Sequence, residues 1–199
     1  MAASLKRIQT LLRRSGTLRA SRLAELGAAR VQLSRWVAGG QLQRVARGVY
    51  AAADFSPNEH ASLVAVSQRA PAVVFCLLTA LRFHELTTQA PFEVWIAIGN
   101  KAKPPRIMSP RLRVFRFSAE SLAWGVETHK VDGALLRVTG VAKTVADCFK
   151  FRNKIGLDVA LEALQESVRY KRVTMDQLWQ AAQVCRVTNV MQPYLESLT

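Results

Sequence analysis

Acidic residues are scarce in this sequence: 14 Asp and Glu stand against 28 Lys and Arg in 199 residues, a formal net charge of +14 and a pI near 10.7. Such an excess argues against a neutral-surfaced enzyme and predicts attraction to polyanions, chiefly nucleic acid or an acidic membrane surface. Cysteine is nearly absent. Cys76, Cys148 and Cys185 are odd in number and far apart, which excludes a disulfide framework and points to reduced thiols in the cytoplasm. The longest uncharged apolar run, Ala70 to Leu81, is a dozen residues, well short of the roughly twenty that cross a bilayer, so it belongs to a core and no membrane partner is expected. Lys6 and Arg7 are not followed by the apolar stretch and cleavage site of a secretory signal. Histidine is equally thin: His60, His84 and His129 are scattered, no Cys or His pair has zinc-ligand spacing, and neither a metal nor a cofactor is expected.

What is present describes a folded protein, with half the residues hydrophobic and a fifth charged. The length allows one large domain or two small ones. Charge is unevenly spread. Through Tyr50 there are ten basic residues and one acid, Glu25, a net +9, whereas the remaining 149 residues hold 18 bases and 13 acids, only +5. Most of the cations are arginines, whose planar fork pairs with phosphates and guanine edges; this favours nucleic acid over membrane.

The first fifty residues spell three short helices and a hairpin. Ser4 stands where it can cap a helix with Leu5, Ile8, Leu11 and Leu12 on one stripe, stopped at Ser15-Gly16. A second helix fits Ala20 to Leu26, with Gly27 to end it. A third fits Ala29 to Ala38: Leu33, Trp36 and Val37 face inward, Val31, Ser34, Arg35 and Ala38 outward, flanked by Arg30 and Gln32, and Gly39-Gly40 close it. That outer side is small and basic, as a major groove requires, although a merely solvated face would have a similar composition. Leu42 to Val45 and Val49 to Ala51 alternate as two strands around Ala46-Arg47-Gly48. Three helices and a basic hairpin read as a winged helix-turn-helix over 1–54, with a small structural helical module as the alternative. On the first reading Arg30, Gln32, Ser34 and Arg35 face the groove, and Arg44, Arg47, Lys6 and Arg13 hold phosphates.

Ser56-Pro57-Asn58-Glu59 is a helix start, with a hydroxyl cap, a proline in the first turn and an acid reaching back, and it opens a second domain over 55–199. Helices are expected over Asn58 to Arg69 and Leu77 to Leu86, then a strand from Phe92 to Gly99 with Val94, Ile96 and Ile98 on one face. Lys101 to Arg116 holds Lys101, Lys103, Arg106, Arg111, Arg113 and Arg116 and no acid, interrupted by Pro104, Pro105 and Pro110; it reads as an exposed loop running into a strand at Leu112 to Phe117. A nucleic acid, an acidic protein partner or plain solvent would each suit it. Asp132-Gly133, between Val126 to Val131 and Ala134 to Thr139, is the preferred dipeptide of a type I′ hairpin, so the sheet is at least partly antiparallel. The tail reads as helices at Val141 to Phe151, Leu157 to Tyr170, from the capping box Thr174 to Gln177, and around Asn189 to Leu198. The expected class is therefore α+β: the winged unit, then a mixed α/β domain with a helical tail.

Catalytic signatures are missing. Gly140-Val141-Ala142-Lys143-Thr144 ends like a phosphate loop but lacks its glycines, so Lys143 reads as a first-turn residue of an ordinary helix. His84-Glu85 is better read as a partner-bonded histidine than as an acid-base pair, and Glu93 is followed by Val94-Trp95 rather than by the lysine of a metal-dependent nuclease. No catalytic residue is expected; a nuclease-related enzyme that uses a winged unit for targeting is the alternative.

The order of segments resembles the AbiEi family of antitoxins from abortive-infection toxin-antitoxin systems. The resemblance rests on Gly39 to Tyr50 (GGQLQRVARGVY), Leu78 to Ala97 (LTALRFHELTTQAPFEVWIA) and Val138 to Glu162 (VTGVAKTVADCFKFRNKIGLDVALE). It implies a repressor that binds double-stranded DNA at inverted repeats of its own operator. It further implies a second domain that counteracts a nucleotidyltransferase-like toxin without necessarily forming a stable complex. Gly27-Ala28-Ala29 departs from the Ser or Thr cap usual before a recognition helix.

Overall fold

The computed structural model describes residues 4–55, 60–89 and 91–198. They fall into two compact units, the first running through Arg69 and including Lys130–Leu135, the second taking Ala70–His129 and the chain from Leu136. The expected boundary after Asp54 thus lies inside the first unit, which continues through one more helix.

That first unit runs α1 (Leu5–Ser15), β1 (Thr17–Arg19), α2 (Ala20–Glu25), α3 (Arg30–Ala38), β2 (Leu42–Ala46), β3 (Val49–Ala52) and α4 (Ala61–Arg69). The apolar stripes go where their spacing sends them: Ile8, Leu12, Leu23, Ala28, Leu33 and Leu42 are buried in one core with Tyr50 and Ala52, and Trp36 and Val37 pack against it. Ser4 does not cap α1 with its hydroxyl; its backbone carbonyl accepts from the Ile8 N–H instead. β1 is an unexpected element, because three residues are too few to display alternation. It completes a three-stranded antiparallel sheet in the order β1-β3-β2, with Thr17 and Gln43 flanking Ala51. A bulge between Arg44 and Ala46 bends β2 just before the turn. Three helices and a hairpin closed by a short first strand are compatible with a winged helix. The capping box expected at Ser56 to Glu59 lies outside the described residues.

A mixed five-stranded sheet, ordered β6-β5-β4-β8-β7, is formed by β4 (Val74–Phe75), β5 (Val94–Gly99), β6 (Leu112–Phe117), β7 (Val126–Val131) and β8 (Ala134–Thr139), and all of it except Lys130–Leu135 belongs to the second unit. β4 runs antiparallel to β5 and parallel to β8, and β5 runs parallel to β6. Asp132 and Gly133 both take left-handed backbone angles, φ 46° and 74°, the two that a type I′ turn needs between β7 and β8. In β5 the face expected to be inward is buried, and so is the other: Trp95 and Ala97 are as inaccessible as Val94, Ile96 and Ile98. A continuous apolar run of this kind belongs to a strand covered on both sides.

Helices α5 (Leu77–Phe83), α6 (Ala119–Ala123), α7 (Val141–Lys150), α8 (Arg152–Ile155), α9 (Leu157–Arg169), α10 (Met175–Cys185) and α11 (Thr188–Glu196) complete the unit. Trp95, Phe115 and Phe117 from the sheet share a core with Leu81, Phe149, Leu164 and Leu178 from these helices. α5 is shorter than expected, ending at Phe83 before Glu85 takes a left-handed φ of 58°. α7 breaks at Phe151 into α8, which the sequence does not announce. α6 is likewise unexpected, although Ser118 caps it by accepting from the Ser121 N–H. The box opening α10 is formed at both ends, Thr174 Oγ1 accepting from Gln177 N and Gln177 Oε1 accepting from Thr174 N. No helix among the described residues is long and apolar enough to cross a membrane.

Candidate nucleic-acid interface

The α3 helix divides as its sequence requires. Leu33 is buried and Trp36 and Val37 are half-buried, which leaves Arg30, Val31, Ser34, Arg35 and Ala38 exposed along one side. Val31 is 63% exposed, a high value for a branched apolar residue. The helix begins without a hydroxyl cap. Instead Gln32 folds back, and its Oε1 accepts from the Ala29 N–H at 2.9 Å. The carbonyl that an adenine contact would use is therefore engaged in holding the first turn, and Gln32 stands apart from the other three groove candidates.

The β2–β3 hairpin carries Arg44 and Arg47, both exposed, with Gly48 at φ 74° turning the chain. Two bonds fix the turn to the rest of its unit: the Gly48 carbonyl accepts from the N–H of Ala20 at 2.8 Å, and Arg69 at the end of α4 donates to the Arg47 carbonyl at 3.4 Å. Arg19, the last residue of β1, is half-buried, and one of its terminal guanidinium nitrogens has no hydrogen-bond partner among the described residues. Burial, reinforced by the nearby Arg69 charge, lowers its pKa. Among the described residues no acid pairs with Arg30, Arg35, Arg44 or Arg47. Lys6 and Arg13 are exposed on α1, a different element. Arg13 is already paired with Asp54 at 3.3 Å, both ends solvent-exposed, so it meets a phosphate only in competition with that carboxylate.

Residues 6–53 match the family model described as "Transcriptional regulator, AbiEi antitoxin".

No curated protein matches the chain. The AbiEi match runs from Lys6 in α1 to just past β3, so it contains every residue of the exposed α3 side and of the hairpin. It stops before α4. Arg69, which holds the hairpin turn, thus lies outside the AbiEi segment. Sequence reasoning misses it because the helix start at Ser56 assigns α4 to the second domain.

The second unit carries the other candidates. Lys101, Lys103, Arg106, Arg111 and Arg113 are all exposed, and Arg113 lies over the Trp95 ring at 4.4 Å. His84 is a partner-bonded histidine: its Nε2 is 2.8 Å from the Thr139 carbonyl and therefore carries the proton. Burial lowers the His84 pKa, the Thr139 bond and Glu127 opposing the shift and His129 and Arg172 adding to it.

Lys143 does sit in the first turn of α7, yet it is not an ordinary helix residue. Its ammonium is buried, bonded to both carboxylate oxygens of Asp147 at 2.6 and 2.5 Å and to Ser121 Oγ at 3.1 Å, and it lies over the Phe117 ring. The i, i+4 spacing of Lys143 and Asp147 is visible in the sequence, but nothing there says that both lie inside. The carboxylate of Glu127 lies close against the Gly140 backbone at this helix start, where a Cβ would meet it. Burial raises the Asp147 pKa against the opposing pull of Lys143, and pushes the Cys185 thiol up to about 12; Cys76 and Cys148 are raised by burial as well. These thiols are inert packing groups rather than nucleophiles.

Proposed function

We propose that this chain is a DNA-binding transcriptional regulator whose first unit is a winged helix-turn-helix. In this reading α3 enters the major groove and the β2–β3 hairpin lies along the backbone beside it. The observation that carries the reading is that Arg30, Arg35, Arg44 and Arg47, all within the segment that matches the AbiEi model, are exposed and pair with no acid among the described residues. Exposed arginines that no acid neutralises are free to meet a polyanion, and their pairing with phosphates releases counterions. Ser34 and Val31 add a small hydroxyl and a methyl surface to the groove face, while Arg44, Arg47 and Lys6 take phosphates. Arg13 joins them only if Asp54 yields.

The same match, to a model described as a transcriptional regulator and antitoxin, supports a regulatory role, and we propose further that the protein represses its own operon at inverted repeats and counteracts a nucleotidyltransferase-like toxin in the cytoplasm. No reaction, metal or cofactor is assigned to the chain. Gel-shift titration against the duplex upstream of its own gene tests the reading. Arg35→Ala should lose about 1 to 3 kcal/mol at one preferred base pair and relax specificity there. Arg47→Ala should weaken all duplexes alike and lower the salt slope by about 1. If both variants bind as the parent does, α3 and the hairpin are not the interface.

A further inference from the structure

The segment between β5 and β6 joins parallel neighbours whose register runs from Val94 opposite Leu112 to Gly99 opposite Phe117. It must therefore return along the whole length of a six-residue strand, about 20 Å at roughly 3.3 Å per residue. Such a crossover is usually a helix. Here it is extended and irregular, with Pro104, Pro105 and Pro110 along it. Both ends are fastened: Arg116 Nη1 donates to the carbonyls of Gly99, Asn100 and Ala102 at 3.2, 2.5 and 3.1 Å, and the Val94 N–H donates to the Arg111 carbonyl at 2.8 Å.

Along this fixed path Lys101, Lys103, Arg106 and Arg111 are exposed, and none pairs with a described acid. Two large apolar side chains accompany them. Phe92 is fully exposed two residues before Val94, at the end of the sheet where Arg111 arrives, and Met108 is 94% exposed. The acid nearest in sequence, Glu93, is half-buried.

We propose that this crossover is a track for single-stranded nucleic acid, with Lys101, Lys103, Arg106 and Arg111 on successive phosphates and a base stacked on Phe92. A row of cations alone would suit any polyanion. The uncovered aromatic ring decides among them, because a duplex keeps its base faces stacked inside and offers this surface only phosphate, whereas a single strand offers phosphate and base face together. An acidic polypeptide matches the charge but has no regular supply of flat rings for Phe92. This proposal rests on residues of the second unit alone and does not depend on the reading of the first.

The test is fluorescence anisotropy of the full chain with labelled single strands of about ten nucleotides, as DNA and as RNA, beside the matching blunt duplex and polyglutamate. Salt-dependent binding of the single strands is expected. Phe92→Ala should weaken it roughly 5- to 150-fold, and Phe92→Trp should retain it. Combined Lys101→Ala, Lys103→Ala and Arg106→Ala should weaken it and flatten its salt slope, while Arg35→Ala and Arg47→Ala should leave it unchanged even if they abolish duplex binding. The proposal is overturned if Phe92→Ala binds single strands as the parent does, if the single strands do not bind, or if polyglutamate displaces them through contacts that also need Phe92.

Discussion

At the scale of single residues, the most consequential group is one that surface chemistry would never reveal. Lys143 and Asp147 are buried, and each is satisfied only by its neighbours: the carboxylate by the ammonium and the Cys185 thiol, the ammonium by the carboxylate and Ser121. Taking two charges out of water costs several kcal/mol per ion, which their attraction and bonds offset only while both are present. Lys143→Met should therefore destabilise the protein by about 3 to 5 kcal/mol, because it strands a buried carboxylate. The double variant Lys143→Met with Asp147→Leu should recover most of that loss, since an apolar pair of similar volume has no charge to desolvate. Urea unfolding of both variants measures this. Equal losses in the single and double variants would mean that packing, rather than stranded charge, sets the stability here.

Among elements, α3 depends on one side chain for its start. No hydroxyl precedes it, and Gln32 supplies the acceptor that satisfies the Ala29 N–H. Removing it with Gln32→Ala should cost about 1 kcal/mol, as losing a cap does, whereas Gln32→Glu keeps the acceptor, adds a negative charge at the positive end of the helix and should cost nothing. Thermal unfolding distinguishes them, and a loss as large for Gln32→Glu as for Gln32→Ala would dismiss the capping role. The helices are legible in the sequence because their stripes repeat over several turns: Ile8 with Leu12, and Leu33 with Trp36 and Val37, all turn inward. β1 and β4 are not, because three- and two-residue strands exist only through their partners, Thr17 beside Ala51 and Phe75 between Ile96 and Val138. Turns are readable where dihedral demands are strict, as at Asp132-Gly133 and Gly48. Of the groove candidates, Arg30, Ser34 and Arg35 can be placed on one side from helical periodicity alone, whereas the folding back of Gln32 onto the Ala29 N–H and the pairing of Arg13 with Asp54 are decided by neighbours that no spacing encodes.

For the whole molecule, the unequal spread of charge separates two accounts of duplex binding. A net +9 lies on the first fifty residues and only +5 on the other 149. If a duplex felt the protein only as a cation of +14, any exposed lysine or arginine would count alike. If it is held at α3 and the hairpin, each phosphate-binding cation removed from that unit should lower the slope of log affinity against log salt by about 0.9, and cations elsewhere should leave it unchanged. Replacing Lys6, Arg44 and Arg47 together by Ala should then reduce the slope by about 2.7. Replacing Lys101, Lys103 and Arg106 removes the same formal charge and should leave the slope for duplex unaltered. Affinities measured between about 50 and 200 mM salt span the range in which such phosphate pairing changes binding by orders of magnitude, so the comparison is well resolved. Equal reductions from the two triple variants would mean that duplex binding is not localised to the first unit, and the winged reading would lose its main support.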